Sequence, residues 1–360
     1  MVKYTLRRLF QAIPTLFGIS ILTYMIMLAA PGGPVQALAF GPKVTPQQRA
    51  ELAARLGVND PFYIQYLRWL LGDDWMRWDE DGDGVADHAV LIPLDANGDG
   101  EPEAPGEGKG VLRGDFGRSF YHGKRQVLSV IAERVSATME LGVSSLLVGL
   151  VVGLPVGILA AVRRGGVFDN LTRIMSVVFN AIPVFWLGLM LLLLFGGTGL
   201  GLLPMGNQCR PVLIGGCPPV WQRLEYLILP TFVIATGEIA GFSRFMRASL
   251  LDVSSQDYIR TAKAKGLSER VVWFKHGTRN ALIPIATFLG PAITGILSGA
   301  AITETIFAWP GLGRLAVESV TQQNYPVVMA VVLFAAVATI LGYLLSDILY
   351  ALIDPRIRLH

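Results

Sequence analysis

Six long runs of apolar residues constrain this chain more than any other feature of its sequence. A helix needs about 20 mostly apolar residues to cross the roughly 30 Å hydrocarbon core of a membrane. Hydrophobic residues fill 52% of the 360 positions and charged residues only 16%, a composition too apolar for a water-soluble chain of this length. The sequence therefore predicts an all-α polytopic membrane protein with about six transmembrane helices, near Leu9–Ala29, Met139–Val162, Ile174–Gly196, Leu224–Phe242, Ala281–Thr303 and Pro326–Ser346.

The basic residues of the short loops indicate how the chain is threaded through the membrane. They precede the first run, follow the second and fourth runs, and return at the end of the chain. Because lysine and arginine concentrate on cytoplasmic loops, both termini are predicted to be cytoplasmic. A cleaved signal peptide is the alternative at the N-terminus, but its apolar core is usually about 7–15 residues, shorter than the first run. The basic residues that give the net charge of +3 are thus sorted by membrane side rather than gathered on one binding face, so they give no reason to expect nucleic-acid binding.

This threading divides the chain into four predicted regions. Residues 1–30 hold the cytoplasmic N-terminus and first span, and residues 31–136 form an extracytoplasmic domain. Residues 137–350 are the transmembrane domain with a cytoplasmic loop at 244–280, and residues 351–360 are a cytoplasmic tail. Helix-capping patterns in the extracytoplasmic domain predict one helix from Thr45 to Gly57 and a second over Phe62–Leu71, whose aromatic residues either pack against the spans or lie at the membrane interface.

Residues 73–110 have the composition of an acidic, glycine-rich insertion. The pattern D-x-[DN]-x-D-G-x-x-[DE] occurs twice, with candidate metal ligands Asp79, Asp81, Asp83 and Asp87, then Asp95, Asn97, Asp99 and Glu103. Calcium takes six to eight oxygen ligands, which alternate side chains around a glycine turn supply from one short loop. The pattern resembles the calcium loops of thrombospondin type 3 and dockerin-like repeats. We expect Ca²⁺ bound here in a structural role; the alternative is a solvated acidic loop.

Two cysteines, Cys209 and Cys217, fall in a loop assigned to the outside. Oxidising conditions there allow a disulfide across a short loop, and two free thiols are the alternative. Among the acidic residues of the spans, Glu238 is the candidate for lining the substrate path or for pairing with Arg244 or a partner chain, because a charge within the membrane is costly and usually functional or paired. Glu140 and Asp347 lie nearer the ends of their spans and are predicted to be interfacial.

The loop after the fourth run is strongly basic, with eight basic residues against three acidic ones between residues 244 and 279. The sequence Ser254-Ser255-Gln256-Asp257 favours a helix start, and Gly266 favours its end. A second helix is predicted through Val271, Val272 and Phe274. Two short helices that meet at a glycine form a protruding elbow suited to docking in a groove of another protein. The plainer alternative is ordinary positive-inside charge, which needs no partner.

At these residues the chain resembles a known family. Residues 258–268 (YIRTAKAKGLS) and 276–284 (HGTRNALIP) are similar to the EAA-loop signature of ABC importer permeases, most narrowly those for dipeptides and oligopeptides. The chain departs from the general signature at Arg260, Thr261 and Arg279, as the peptide class tends to. Residues 113–119 (RGDFGRS), 304–313 (ETIFAWPGLG) and 354–358 (DPRIR) resemble further family motifs. The likeness covers most of the chain apart from residues 73–110.

This resemblance implies a permease that forms half of a transport path and couples ATP-driven closure to alternating access through the segment 257–284. The implied coupling residues are Asp257, Tyr258, Ala262, Gly266, Leu267 and Ser268, with Ala262 and Gly266 in closest contact with the ATPase. Implied partners are a second homologous permease, two ATP-binding subunits and an extracytoplasmic substrate-binding protein, in a bacterial or archaeal cell membrane.

ATP reaches such a permease only through its partners, and no G-x-x-x-x-G-K-[ST] phosphate loop occurs in this chain. We therefore expect the chain itself not to be an enzyme. Its substrate stays open, since near relatives handle peptides, glutathione, nickel chelates and some sugars. A secondary transporter or channel regulated by extracytoplasmic calcium is the alternative function, although the inverted symmetry typical of such transporters is not found. A calcium-dependent adhesion protein predicts a longer soluble domain than this one.

Overall fold

A computed structural model describes residues 2–29, 61–72, 77–78, 88–89, 108–197, 199–210 and 217–353. Eleven α-helices lie in these ranges, together with two strands of two residues each. The helices are α1 (Val2–Ala29), α2 (Phe62–Leu71), α3 (Val127–Val162), α4 (Val167–Ala181), α5 (Val184–Phe195), α6 (Leu224–Ser254), α7 (Asp257–Ala264), α8 (Thr278–Ser298), α9 (Ala301–Ile306), α10 (Leu312–Thr321) and α11 (Tyr325–Ile353).

The helices confirm the predicted all-α membrane fold. Five stretches are long and apolar enough to span a membrane: Thr5–Ala29, Val127–Val162, Leu224–Ser254, Leu289–Ile306 and Tyr325–Ile348. The pair α4 and α5 makes a sixth if it is one broken span.

The predicted third span, Ile174–Gly196, is wrong as one continuous helix. The chain bends by 98° between α4 and α5, where Ile182 and Pro183 have extended backbone. Proline lacks the N–H that an inner helical turn requires, and its ring disfavours helical geometry in the residue before it. Two shorter helices replace one long helix as a result.

The chain divides into two compact units, which we describe separately. The first contains residues 1–12, 134–314 and 335–360, and the second contains residues 13–133 and 315–334.

Helix α6 is central to the first unit, where it contacts α4, α5, α8 and α9. Glycine lets helix α3 approach it closely, since an added Cβ would lie only 2.5–3.0 Å from α6 at three positions: Gly149 against Glu238, Gly153 against Phe242, and Gly157 against Ser243. Such small residues allow membrane helices to pack backbone against side chain.

In the second unit, helix α2 has the bounds that the sequence predicts. Its Tyr66 packs against Tyr24 of α1, with ring centroids 5.7 Å apart, and the Tyr66 hydroxyl lies 2.7 Å from Ser20 Oγ. Phe62 and Trp69 also contact Tyr24. Of the two alternatives, packing against a span therefore holds for Phe62, Tyr66 and Trp69, whereas Tyr63 is exposed. The helix predicted between Thr45 and Gly57 lies outside the described residues.

Two further features complete the second unit. Strands β1 (Arg77–Trp78) and β2 (His88–Ala89) form an antiparallel pair within the insertion. Buried Asn324 donates through Nδ2 to Ser119 Oγ at 2.8 Å and accepts from the Phe120 N–H at 3.1 Å. These hydrogen bonds join the segment before α3 to the segment before α11.

Candidate functional site

The elbow, residues 257–277, begins with helix α7 and turns at Gly266. Gln256 has extended backbone and precedes the helix, while Asp257 in the first turn favours the positive end of the helix dipole. Gly266 has a φ of +74°, a left-handed conformation that side chains disfavour. The chain therefore turns at Gly266, as predicted, because glycine adopts this backbone conformation without strain.

A small apolar core holds the two arms of the elbow together. Ile259 and Ala262 of α7 pack with Val272 of the second arm, and all three side chains are buried; Val253 of α6 covers them. Ala262 thus faces its own chain. This differs from the expectation that Ala262 would be in closest contact with a partner. Ile259 and Ala262 are three positions apart and so lie on the same face of α7, the face that packs against Val272.

The outer face of the elbow is partly apolar and partly basic. Tyr258, Leu267 and Phe274 are all exposed. A Cβ added to Gly266 would meet no atom within 4 Å, so the surface there is open. Arg260 and Lys265 flank these residues and are exposed as well. Exposed apolar side chains among charged ones are typical of protein interaction surfaces.

The second arm differs from the regular helix that its sequence predicts. Residues Val271–Gly277 form a π-helix, which continues directly into α8. Thr278 donates its hydroxyl to the Trp273 carbonyl at 3.0 Å, across five positions. Lys263 Nζ lies 5.3 Å from the centroid of the Trp273 ring and links this arm to α7. Wide helical turns of this kind occur frequently at functional sites.

Helices α6 and α8 enter and leave the elbow side by side. Ser249 donates its hydroxyl to the Ala281 carbonyl at 2.8 Å. A Cβ on Gly277 would lie 3.0 Å from the Leu250 side chain, so only glycine fits easily there. The elbow therefore stands on two helices that are joined at its base.

A buried ion pair joins α6 to the first turn of α4. Arg247 donates through Nε to Asp169 Oδ1 at 2.5 Å and through Nη2 to Oδ2 at 2.8 Å. The side chain of Asp169 is 1% exposed and that of Arg247 is 22% exposed. The Gly165 N–H also donates to Asp169, at 2.9 Å. This two-pronged geometry sets the orientation of the two helices as well as their distance.

The opposite end of α6 carries a second buried ion pair. Arg223, immediately before α6, donates through Nη1 and Nη2 to the two carboxylate oxygens of Glu140 at 2.9 and 2.8 Å. Gln208 Nε2 donates to Glu140 at 2.7 Å, and Arg223 also donates to the Pro218 and Gln208 carbonyls. A disulfide joins Cys209 to Cys217 within the same loop. Glu140, which the sequence predicts to be interfacial, is largely buried within the protein and pairs with Arg223 and Gln208.

A buried carboxylate organises the segment between α9 and α10. Glu304 accepts hydrogen bonds from the Thr138 hydroxyl at 3.1 Å and from the Arg314 N–H at 2.9 Å. Thr138 Oγ1 in turn accepts from the Leu312 N–H at 2.7 Å, and Trp309 Nε1 donates to the Ala137 carbonyl at 2.8 Å. These bonds hold residues 304–314 against the start of α3.

The acidic path candidate, Glu238, lies on α6 against Gly149 of α3. Its Oε2 atom is buried and has no hydrogen-bond partner among the residues that the structure describes. The other acidic residue predicted to be interfacial, Asp347, pairs with Arg8 at 3.4 Å, and both side chains are partly exposed.

The predicted calcium ligands all lie outside the described residues. Within the described part of the chain, no group of three or more His, Cys, Asp or Glu residues is placed to hold a metal ion.

Sequence reasoning missed the pairing of Arg247 with Asp169 and that of Arg223 with Glu140. Arg247 was counted only as part of the basic loop, and Asp169 gives no local signal apart from its place in the first turn of a helix. The motif at 304–313 was recognised, but the burial of Glu304 was not expected from it.

Known proteins are similar to this chain along most of its length. The family model described as binding-protein-dependent transport system inner membrane component matches residues 153–359, and a model of the N-terminal part of such components matches residues 1–77. The oligopeptide transport system permease protein AppB of Bacillus subtilis is 38% identical over 99% of this chain and 100% of its own length. The dipeptide transport system permease protein DppB of Escherichia coli is 34% identical over 99% of each chain.

A solved structure has a similar fold. It is an inward-facing form of the MetNI methionine ABC transporter, with a TM-score of 0.51 at 17% identity over 62% of this chain and 96% of that one. At this identity the likeness concerns the fold alone. A secondary transporter or channel regulated by calcium finds no support in these relatives.

Proposed function

Because the chain belongs to the family of binding-protein-dependent transport system inner membrane components, we propose that it is the permease of a di- or oligopeptide importer driven by ATP. Similarity along 99% of the chain to permeases for dipeptides and oligopeptides carries this proposal. The chain would supply half of the transport path, and ATP would be hydrolysed by separate subunits. Its partners would be a second homologous permease, two ATP-binding subunits and an extracytoplasmic binding protein.

Radiolabelled peptide uptake tests the substrate class. Proteoliposomes would contain this chain with its cognate permease, ATP-binding and binding-protein subunits. We expect uptake of a peptide of two to five residues that depends on both ATP and the binding protein. Uptake of free amino acids or sugars, with peptides neither transported nor competing, would contradict the peptide class.

The elbow is the proposed coupling segment, on the cytoplasmic side with both chain termini. Its support is the exposed face of Tyr258, Leu267 and Phe274, which is open at Gly266 and flanked by Arg260 and Lys265. A groove on an ATP-binding subunit would take the apolar side chains, while acidic residues at its rim would meet the cations. Asp257 and Ser268 begin the two arms and would set the angle between them. Ala262 would act indirectly, by packing inside the elbow.

A leucine at position 266 tests this docking. Gly266→Leu strains the backbone and adds bulk to the open surface, so we expect the ATP-binding subunits to be lost on affinity purification. Gly114→Leu is the matched control, because Gly114 has a φ of +81° and equally open surroundings but lies outside the elbow. Retention of the ATP-binding subunits by Gly266→Leu, or their equal loss in the control, would contradict the assignment.

Glu238 is proposed to lie on the substrate path. Its support is a buried carboxylate oxygen that has no hydrogen-bond partner in the described part of the chain, on the helix that leads to the elbow. A group arriving from the substrate or from the second permease would satisfy this oxygen. Glu238→Gln should raise the KM for peptide uptake and leave ATP hydrolysis by the assembled transporter in place. An unchanged KM would remove Glu238 from the path.

The doubled acidic motif of residues 73–110 is proposed to bind Ca²⁺ in a structural role. Its support is the repeated spacing of oxygen ligands around glycine turns. Calorimetric titration of the full chain in detergent should show binding at about millimolar Ca²⁺ or below, as in extracellular modules. The double variant Asp83→Asn/Asp99→Asn should lose that heat. Equal heats for the two chains, or none for the unaltered one, would contradict the proposal.

A further inference from the structure

The base of the elbow packs directly against the end of α6. Val253, near the end of α6, covers the core formed by Ile259, Ala262 and Val272. The hydrogen bond from Ser249 to Ala281 and the close contact of Leu250 with Gly277 then join α6 to α8 directly behind the elbow. A force applied to the elbow therefore moves the end of α6 rather than bending a free loop.

The same end of α6 is attached to α4 by the Arg247–Asp169 pair. Arg247 lies ten positions before Asp257, the first residue of the elbow. A guanidinium and a carboxylate that share two hydrogen bonds resist both sliding and rotation of one helix against the other. Ser176 and Ser243, one turn of α6 further from the elbow, make a second polar contact at 3.4 Å.

Helix α4 leads away from this attachment through the 98° bend at Ile182 and Pro183 into α5. Gly188 of α5 packs against Ile306 and Phe307, and a Cβ there would lie 3.3 Å from each. The Phe307 carbonyl accepts from the Asn207 N–H at 2.8 Å, in the loop that carries the disulfide. A chain of packed contacts thus runs from the elbow through α6, α4 and α5 to the segment organised by Glu304.

From these contacts we infer that Arg247 and Asp169 are positioning residues that transmit displacement of the elbow to the bent helix pair α4–α5. The inference rests on the proposed function, in which the elbow receives the movement of the ATP-binding subunits. Neither residue touches substrate or nucleotide. Their role is to make α4 follow α6, so that ATP hydrolysis and opening of the path occur together.

Burial of the pair alone would also suit a purely structural role, and the two roles predict different measurements. Loss of a structural contact lowers the amount of folded transporter, so uptake and ATP hydrolysis fall in the same proportion. Loss of a transmitting contact separates the two activities. The ratio of peptide imported to ATP hydrolysed therefore distinguishes the roles.

The experiment uses the complete transporter in proteoliposomes, with Arg247→Lys and Asp169→Asn in this chain. Arg247→Lys keeps a cation opposite Asp169 and removes the forked geometry; Asp169→Asn keeps the shape and removes the charge. We expect each variant to lower the ratio of peptide imported to ATP hydrolysed by about five-fold, with ATP hydrolysis still stimulated by the binding protein. Glu133→Gln is the control, because it breaks the exposed Arg125–Glu133 pair, and its ratio should equal that of the unaltered chain.

A ratio that stays at the unaltered value in both Arg247→Lys and Asp169→Asn would overturn the inference, whether or not their absolute activities fall. The proposed function fails separately, if the unaltered transporter does not import peptide with ATP. An equal fall of the ratio in Glu133→Gln would also overturn the inference, since any broken ion pair would then have the same effect.

Discussion

The two ends of α6 are held by buried arginine–carboxylate pairs whose surroundings differ. At the end away from the elbow, Arg223 donates to four oxygen atoms, and Glu140 also accepts a hydrogen bond from Gln208. Two of the four acceptors are the carbonyl oxygens of Gln208 and Pro218, which stand next to the disulfide-bonded Cys209 and Cys217. Near the elbow, Asp169 is the carboxylate that pairs with Arg247 in the part of the chain that the structure describes. At one end the pair belongs to a network of side-chain and carbonyl hydrogen bonds, whereas at the other the forked pair is supplemented by the Gly165 N–H and by the separate Ser176–Ser243 and Ser249–Ala281 contacts.

This difference suits a helix that pivots. A redundant network stays intact when one of its bonds is disturbed, so the braced end keeps its position. The two-pronged Arg247–Asp169 contact, which resists both sliding and rotation, is the ion pair through which movement near the elbow would pass from α6 to α4. Four changes, from the largest expected effect to the smallest, test this contrast through the free energy of unfolding of the chain in detergent, measured by SDS titration.

Arg247→Ala should have the largest effect, a loss of about 3–5 kcal/mol, because it leaves the nearly inaccessible Asp169 carboxylate without its cation. Arg244→Ala is the matched control, since Arg244 is an exposed arginine one turn earlier on the same helix. We expect the control to change stability by less than about 0.5 kcal/mol. Similar losses in the two variants would show that Asp169 does not depend on Arg247.

Removal of the disulfide by Cys209→Ser/Cys217→Ser should cost about 2–3 kcal/mol, since the bond closes a short loop and restricts the unfolded chain. The hydrogen bonds of Arg223 should keep the loop near its place, so that ATP-driven uptake is little changed. A reducing agent should lower the stability of the unaltered chain and leave that of the double variant unchanged. Insensitivity of the unaltered chain to the reductant would contradict this prediction.

Ser249→Ala removes one hydrogen bond between α6 and α8 at the base of the elbow, and should cost about 0.5–1.5 kcal/mol. Ser255→Ala is the control, because Ser255 is exposed and bonds only to the nearby Asp252 carbonyl. A larger loss in the control than in Ser249→Ala would show that the contact between the two helices contributes nothing.

Arg125→Gln should have the smallest effect, close to no change in stability, because the Arg125–Glu133 pair is exposed and screened by water. Its contribution should fall further in high salt, whereas that of the buried Arg247–Asp169 pair should not. A loss for Arg125→Gln as large as for Arg247→Ala would mean that burial does not decide the strength of these pairs.

Much of the elbow followed from local chemistry. Asp257 at a helix start and Gly266 at a turn act through the backbone within a few residues, so a short window of sequence carries the information. Ala262 shows the limit of that reasoning. The resemblance implied a contact with a partner at this position, and only the packing of Ile259 and Val272 beside it revealed that the side chain is buried within the elbow.

The all-helical membrane character of the chain was determined by the sequence itself, because lipid demands long apolar runs whatever their neighbours are. The break at Ile182 and Pro183 was locally encoded too, although the long apolar run concealed it. The pairing of Arg247 with Asp169, of Arg223 with Glu140 and of Glu304 with Thr138 was decided by tertiary structure, since the residues of each pair are 78 or more positions apart. A charged residue in the sequence shows only that a partner is needed, and the tertiary fold decides which residue that partner is.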